Sequence, residues 1–303
     1  MRPVRSADNR AMKIAAVQMV STPDVGRNLE AAGRLVAEAA DAGARLVALP
    51  EYFCLLGRRD TDKLAAAEAP GRGPIQQALS GWARTHGLWI VGGTLPIGAD
   101  GEAAAAAASH DDVEVAAASA SSAASAAPAR VLNRSLVVAP DGHVVAHYDK
   151  LHLFAFDNGR ESYDEGRTLR AGERPVAVQC GPLRVGLSIC YDLRFPELYR
   201  ALMQPACDLL VVPAAFTHTT GQAHWEILLR ARAVENQCYV LAAAQGGAHE
   251  NGRRTWGRSM IVDPWGEVLA VRDEGEGVVL ADVEADRIHA VRRQLPALAH
   301  RRL

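Results

Sequence analysis

The chain has 303 residues, of which 49% are hydrophobic and 22% charged, and its formal net charge is −2. This composition is that of a globular protein with a large core, and the nearly neutral charge argues against nucleic acid or an acidic membrane surface as a partner. The sequence has no run of about 18 apolar residues, so we predict no membrane span. The polar first eleven residues do not resemble a signal peptide.

Strands and amphipathic helices alternate along the first hundred residues. Residues 13–19, 46–49 and 88–93 are apolar runs of strand length. A helix is predicted to begin at Asp24 and to end at Gly43, because its apolar residues recur with a period of 3.6. A second helix is expected before Gly87. This alternation predicts an α/β sandwich with largely buried sheets.

A low-complexity segment at residues 102–129 interrupts the alternation and consists almost entirely of Ala and Ser. Because it has no large apolar residue that could dock it, we expect an inserted surface loop, disordered or loosely helical. It falls between two predicted strands. We therefore predict a single domain at 12–285, with terminal extensions at 1–11 and 286–303.

The second half of the chain resumes the same pattern. Its predicted helices and strands are helices at 196–203 and 223–236, strands at 183–189, 209–212, 239–244 and 277–282, and hairpins at 135–148 and 259–271. The two hairpins surround the turn sequences Pro-Asp-Gly at 140–142 and Asp-Pro-Trp-Gly at 263–266.

Five cysteines are spaced irregularly along the chain, at Cys54, Cys180, Cys190, Cys207 and Cys238. The number is odd and no CxxC pair occurs, so we expect neither a zinc site nor a disulfide framework. Reduced thiols are typical of the cytosol, and a cytoplasmic location is predicted.

Three reactive side chains each follow a predicted strand: Glu51, Lys150 and Cys190. Strand ends in α/β folds hold ligands and keep side chains rigid. A thiol attacks as its thiolate, which a nearby base and cation favour. Glu51 could exchange protons with the thiol, the leaving nitrogen and water, while Lys150 and the Tyr191 N–H could stabilise an oxyanion. Spacing alone does not show that the three side chains meet.

The segments around these residues resemble those of the nitrilase superfamily of carbon–nitrogen hydrolases. The resemblance extends from about residue 13 to about residue 282, and three segments carry it: LPEYF at 49–53, YDKLHLF at 148–154 and SICYDLRFPE at 188–197. It implies a four-layer α-β-β-α sandwich that forms a homodimer or higher homo-oligomer. It also implies a catalytic triad of Glu51, Lys150 and Cys190, with no metal and no organic cofactor.

The resemblance implies further site residues. A second glutamate would orient Lys150 and water; Glu165 is our choice, with Glu161 as the alternative. The segments at 213–217 and 259–266 also match the family, so Phe216 and Thr217 are expected at the substrate site.

Two arginines are candidate anchors for a substrate carboxylate, since a planar guanidinium suits bidentate pairing. Arg258 could equally be a surface residue. Arg194 could instead form a structural ion pair beside the cysteine.

Within the superfamily, these sequence segments resemble those of the branch of ω-amidases and deaminated-glutathione amidases. We therefore expect an amidase that hydrolyses the terminal carboxamide of a small 2-oxo acid to acid plus ammonia, acting on deaminated glutathione or 2-oxoglutaramate. The alternatives are an N-carbamoyl amide hydrolase or nitrilase with the same triad, and a non-catalytic scaffold of the same fold. A papain-type hydrolase with His152 or His224 as base is a further alternative.

Overall fold

The computed structural model describes residues 11–98, 130–159 and 161–302. The predicted Ala/Ser insertion at 102–129 and the first ten residues lie outside the described residues.

The strands and helices that the sequence predicts are present, together with several short strands and one short helix that it did not predict. The strands of the described residues are β1 (Met12–Gln18), β2 (Leu46–Ala48), β3 (Trp89–Val91), β4 (Leu95–Gly98), β5 (Val131–Val138), β6 (Val144–Asp149), β7 (Ala155–Asp157), β8 (Ser162–Asp164), β9 (Leu169–Arg170), β10 (Ala177–Cys180), β11 (Leu183–Leu187), β12 (Leu209–Ala214), β13 (Tyr239–Ala244), β14 (Gly246–Ala248), β15 (Arg254–Trp256), β16 (Ser259–Val262), β17 (Val268–Arg272) and β18 (Gly277–Val283). The helices there are α1 (Val25–Asp41), α2 (Asp62–Ala65), α3 (Pro74–His86), α4 (Pro196–Ala201), α5 (His218–Asn236) and α6 (Ala285–Gln294). Short 3₁₀ turns lie at Glu165–Arg167 and Cys190–Arg194.

Two large mixed sheets form the centre of the molecule. The first has the order β18-β1-β2-β3-β5-β4, with β6 and β9 also paired to β5. The second has the order β10-β11-β12-β13-β16-β17. In each sheet the middle is parallel: β1, β2 and β3 in the first, and β11, β12 and β13 in the second.

The sheets pack face to face with helices outside them. Successive side chains of a strand point to opposite faces, so Ile14 of β1 lies in the core between the sheets while Ala15 faces Leu35 of α1 and Leu79 of α3. On the other side, the buried Trp225 of α5 lies against β13 and β16. The predicted α-β-β-α sandwich has this layer order.

Helix α1 begins and ends where its sequence predicts. The Asp24 carboxylate accepts a hydrogen bond from the Arg27 N–H at 3.0 Å, which satisfies one free donor of the first turn. Gly43 has a φ of +89° just beyond the last turn, a conformation that favours glycine.

Two helices differ from the sequence expectation. Helix α5 begins at His218, five residues before the predicted start at 223, because the Thr217 hydroxyl accepts a hydrogen bond from the Thr220 N–H. Helix α6 occupies much of the predicted C-terminal extension, where Ile288 and Val291 are buried. Only these two of its ten residues are buried, which leaves a weak periodic signal. The domain boundaries stay a prediction.

None of the helices in the described part of the chain is both long enough and apolar enough to cross a bilayer.

Candidate active site

The side chains of Glu51, Lys150 and Cys190 meet at the carboxyl ends of strands from both sheets. Glu51 follows β2 of the first sheet and Lys150 directly follows β6, whereas Cys190 follows β11 of the second sheet. Lys150 Nζ lies 2.8 Å from Glu51 Oε1, and Cys190 and Glu51 line the same pocket. Because the sheets are stacked, residues 139 positions apart in the chain become neighbours.

Lys150 is fully buried between two carboxylates. Its Nζ donates to Glu51 Oε1 at 2.8 Å and to both oxygens of Glu165 at 3.0 and 2.8 Å. Burial acts to lower the pKa of Lys150, but the two carboxylates outweigh it and hold that pKa well above its ordinary value. A buried charge needs paired partners, so the ammonium form is the one that this site stabilises.

Glu51 is held in position by neighbours from several strands. Asn133 of β5 donates to its Oε1 at 3.0 Å, and the Ala215 N–H, directly after β12, donates to its Oε2 at 3.0 Å. Burial raises the pKa of Glu51 above the ordinary carboxyl value, although Lys150 opposes the shift. A raised pKa suits a carboxylate that must both accept and return a proton near neutral pH.

Asn133 was not predicted as a site residue. It is the first of three consecutive polar residues in β5, Asn133-Arg134-Ser135, so the sequence did not single it out. In the structure its side chain is buried. A buried amide in such a strand needs hydrogen-bond partners.

Cys190 occupies a sharp turn at the start of the Cys190–Arg194 3₁₀ turn. Its φ of +47° is uncommon for a residue other than glycine and marks a constrained site. Asp192 Oδ2 accepts the Ile189 N–H at 2.8 Å, which fixes the chain immediately before the cysteine. Burial and the negative charge of Glu51 raise the pKa of Cys190 well above its usual range. The resting sulfur is therefore a neutral thiol.

The structure brings Glu165, not Glu161, to Lys150. Tyr52 OH donates to Glu165 Oε1 at 2.7 Å and the Phe154 N–H donates to Oε2 at 2.8 Å. Burial acts to raise the pKa of Glu165, but Lys150 and these donors together lower it, so the carboxylate stays ionised. Glu161 is turned away and accepts a hydrogen bond from Thr219 Oγ1 at 3.3 Å.

A pocket opens above Cys190 and has both aromatic and charged walls. Its lining residues are Glu51, Tyr52, Leu56, Asp60, Lys63, Phe154, Tyr163, Asp164, Glu165, Cys190, Ala215, Thr217, Arg253, Arg254 and Thr255. Thr217 therefore lies where the sequence analysis expects it. The charged residues from 60–63 and 253–254 were not anticipated, because their segments lie outside the three family segments.

Tyr191, Arg194 and Phe216 line a smaller recess on the other side of Cys190. The Arg194 guanidinium lies 5.4 Å from the centre of the Phe216 ring and 5.9 Å from that of Tyr191. Its Nη1 also contacts His224 Nδ1 at 3.3 Å. Arg194 is thus beside the candidate nucleophile, held over aromatic faces.

Arg258 lies elsewhere, which corrects the expectation that it could anchor a substrate here. Its guanidinium pairs with Asp273 and, at 3.3 Å, with Glu226 of α5. It lines a separate surface groove beside Trp265. Of the two alternatives for Arg258, the structure favours the surface residue.

The geometry gives no support to a papain-type site. His152 Nδ1 binds Asp192 Oδ1 at 2.7 Å while its ring stacks on Phe195, and neither His152 nor His224 lines the pockets around Cys190. Within the ranges that the structure describes, no cluster of three His, Cys, Asp or Glu side chains could hold a metal ion.

Comparison with known proteins places these residues in a family. The model of the carbon–nitrogen hydrolase family matches residues 13–293. The chain belongs to the carbon–nitrogen hydrolase family. Among its relatives, this hydrolase is 40% identical over 290 residues to the deaminated glutathione amidase of Synechocystis sp., covering 95% of this chain and 97% of the relative. It is 38% identical over 294 residues to the human deaminated glutathione amidase, covering 95% and 82% of the two chains.

The fold of the hydrolase matches a solved structure of the nitrilase superfamily. Saccharomyces cerevisiae Nit3, a member of branch 10 of that superfamily, has a TM-score of 0.80 at 27% identity, and the match covers 97% of each chain. The predictions of the nitrilase-type sandwich and of a carbon–nitrogen hydrolase that acts on amides are confirmed.

Proposed function

We propose that this hydrolase cleaves the amide of a small 2-oxo acid through a thioester on Cys190, with 2-oxoglutaramate and deaminated glutathione as substrates. The observation that carries the proposal is that Cys190 shares one pocket with Glu51 and Glu165, which are joined through the buried Lys150. The names of the relatives support the substrate class.

The first half of the reaction forms the thioester. Because the resting Cys190 is a neutral thiol, Glu51 takes its proton as the sulfur attacks the amide carbonyl. The oxyanion that develops is stabilised by the Lys150 ammonium and the Tyr191 N–H. Glu51 then returns the proton to the departing nitrogen, and the carbon–nitrogen bond breaks.

The second half hydrolyses the thioester. Glu51, now ionised again, removes a proton from the attacking water. The resulting tetrahedral intermediate collapses to release the acid, and Glu51 returns the proton to the departing Cys190 sulfur. Glu165 keeps Lys150 oriented and charged throughout, because it binds Nζ with both oxygens. The scheme uses these side chains, the Tyr191 N–H and water.

The two substrates differ in the nitrogen that leaves. 2-Oxoglutaramate has a terminal carboxamide and releases ammonia. Glutathione has its amides in peptide linkages, so cleavage of the amide next to the 2-oxo acid half of deaminated glutathione releases an amine. 2-Oxoglutarate is the acid product in both cases and gives one readout for both substrates.

The test measures 2-oxoglutarate release from each substrate, coupled to NADH oxidation by glutamate dehydrogenase with ammonium added. We expect turnover by the wild type and a loss of about 10⁴-fold or more in Cys190→Ala, because removal of a nucleophile leaves only binding and oxyanion stabilisation. An N-carbamoyl amino acid is assayed in parallel for carbon dioxide. Turnover of that compound alone would replace the proposed substrate class.

Cys180→Ala is the matched control. Cys180 is buried in β10 and does not line the pocket, so this variant removes a buried thiol without touching the site. Activity retained in Cys180→Ala and lost in Cys190→Ala assigns the nucleophile; full activity in Cys190→Ala would disprove the scheme.

We also infer that two copies associate through α5 into a homodimer. Ile227 and Val234 on this helix are exposed in the single chain, as is the neighbouring Trp265, and apolar surface of this kind is typical of an interface. We propose a cytoplasmic location as well, which accords with the five cysteines all being free and buried.

A further inference from the structure

Lys63 is a cation in the wall of the active-site pocket. Within the described residues, no Asp or Glu oxygen lies within 4 Å of its Nζ. The ammonium instead lies 5.5 Å from the centre of the Tyr52 ring. The hydroxyl of that same ring donates to Glu165 at 2.7 Å. Tyr52 thus has Lys63 near its ring and Glu165 at its hydroxyl.

The other charged side chains of the pocket wall are paired. Arg253 binds Asp60 at 2.7 Å, and Arg254 contacts Glu274 at 3.4 Å. Asp164 pairs with Arg167 at 3.3 Å. The two glutamates at the base share Lys150. Among the charged side chains that line the pocket in the described part of the chain, Lys63 is therefore the cation that is not held in an ion pair.

The environment of Lys63 penalises an isolated ammonium. Partial burial lowers the pKa of Lys63, and the more distant Glu165 and Asp60 only partly oppose this effect. A desolvated cation that keeps its charge gains free energy when an anion reaches it. A carboxylate is the anion that an acidic amide would bring into this pocket.

We propose that Lys63 binds the carboxylate of the acyl half of the substrate and thereby selects acidic amides over neutral ones. This inference rests on the proposed amidase function for the position of the substrate, with the carbonyl at Cys190 and the chain extending past the Tyr52 ring. Lys63 is a specificity-determining residue in this scheme and takes no part in the chemical steps.

The experiment compares the binding of two amides that differ at one end. Glutaramate has a carboxylate where valeramide has a methyl group, and both have the same chain length and the same terminal carboxamide. Calorimetric titration uses Cys190→Ala, which retains the pocket but cannot form the thioester. We expect Cys190→Ala to bind glutaramate more tightly than valeramide. When Lys63→Met is added to Cys190→Ala, the Kd for glutaramate should rise by roughly 10- to 100-fold, as expected for a lost charge-assisted contact. The Kd for valeramide should stay unchanged.

Two further variants separate recognition from structure. Lys63→Arg keeps the cation and should restore most of the preference for glutaramate. Lys13→Met removes a lysine from an exposed pair with Asp282 and should change neither Kd. The inference is overturned if Cys190→Ala shows no preference for glutaramate, if the preference survives Lys63→Met, or if Lys63→Met weakens both ligands equally.

The outcome is independent of turnover. If Lys63→Met abolishes the preference but the wild type releases no 2-oxoglutarate, carboxylate recognition stands and the 2-oxo acid substrates are wrong. If the wild type hydrolyses both 2-oxo acid amides and Lys63→Met leaves their KM unchanged, the amidase stands and the role of Lys63 is wrong.

Discussion

At the scale of single residues, the site depends on unequal environments for two glutamates that share one lysine. Glu51 has a raised pKa because it is buried and lies near the negative charge of Glu165, and Glu165 has a lowered pKa because Lys150 and two further donors bind it. One carboxylate is thus suited to exchange protons and the other to remain charged. Different environments for neighbouring carboxylates commonly separate such roles.

The variant Glu165→Gln tests this division. Glu51 must be ionised to accept the thiol proton, so activity falls as the pH drops through its pKa. The negative charge of Glu165 raises that pKa. Removing the charge should move the acidic limb of the kcat/KM profile to lower pH, and weaker orientation of Lys150 should lower kcat by roughly 10- to 100-fold.

The measurement is a pH series of kcat/KM for 2-oxoglutaramate in the wild type and in Glu165→Gln. Glu161→Gln is the matched control, because Glu161 contacts Thr219 and not Lys150. An acidic limb at the same pH in wild type and Glu165→Gln would contradict the proposed coupling.

At the scale of elements, one buried carboxylate connects the segment around Lys150 to the turn that contains Cys190. Asp192 accepts hydrogen bonds from Tyr148 OH at 2.7 Å and from the Ile189 N–H at 2.8 Å. Its other oxygen accepts the His152 N–H at 3.0 Å and contacts the His152 ring at 2.7 Å. Because these partners flank both catalytic candidates, Asp192 sets the distance between the two segments.

Asp192→Asn should loosen this connection. Both carboxylate oxygens of Asp192 accept hydrogen bonds, whereas the side-chain nitrogen of Asn cannot accept one. At least one buried donor therefore loses its partner, at a cost of about 1–3 kcal/mol of stability. We expect a lower Tm and a fall in kcat of roughly 10-fold or more, with a smaller change in KM. Thermal unfolding and steady-state kinetics provide the two readouts.

Tyr148→Phe is the graded control for that variant. It removes one donor and leaves the Asp192 carboxylate with its other partners, so its effects on kcat and Tm should be smaller than those of Asp192→Asn. Equal kcat in the wild type and Asp192→Asn would show that the two segments hold their positions without this carboxylate.

At the scale of the whole molecule, the outer helical layer of the second sheet carries two of the large apolar residues that remain exposed. Ile227 is 67% exposed at the centre of α5 and Val234 is 49% exposed two turns later. Trp265 extends from the β16–β17 turn beside them. The same helix buries Trp225 against the second sheet, so a partner seated on α5 would support the layer from which Cys190 is presented.

Ile227→Asp should therefore weaken the proposed dimer. An unpaired charge in an apolar interface costs several kcal/mol, so the dimer Kd should rise by roughly 100-fold or more. Sedimentation velocity over a range of protein concentrations measures the change. Val145→Asp is the control, since Val145 is similarly exposed but lies on β6; it should leave the dimer intact. A wild type that sediments as a monomer would exclude the homodimer.

The sequence by itself determined the longer strands and helices of the core, the layer architecture and three reactive residues. Those features depend on local signals: apolar strands, the Asp24 cap, glycines after helices, and short family segments around Glu51, Lys150 and Cys190. Each signal lies within one element or one turn, so it can be recognised without knowledge of how the elements pack. The weakly amphipathic α6 gave no such signal, because only two of its residues are buried.

Tertiary structure alone decided which distant side chains meet. It placed Glu165 on Lys150 in preference to Glu161, brought Asn133 to Glu51, and placed Lys63 over the Tyr52 ring in the pocket wall. It also placed Arg258 in a separate surface groove, away from Cys190. The physical reason is that these contacts cross from one sheet edge or loop to another. Their energies depend on distances set by how the two sheets stack, and no local pattern of residues encodes those distances.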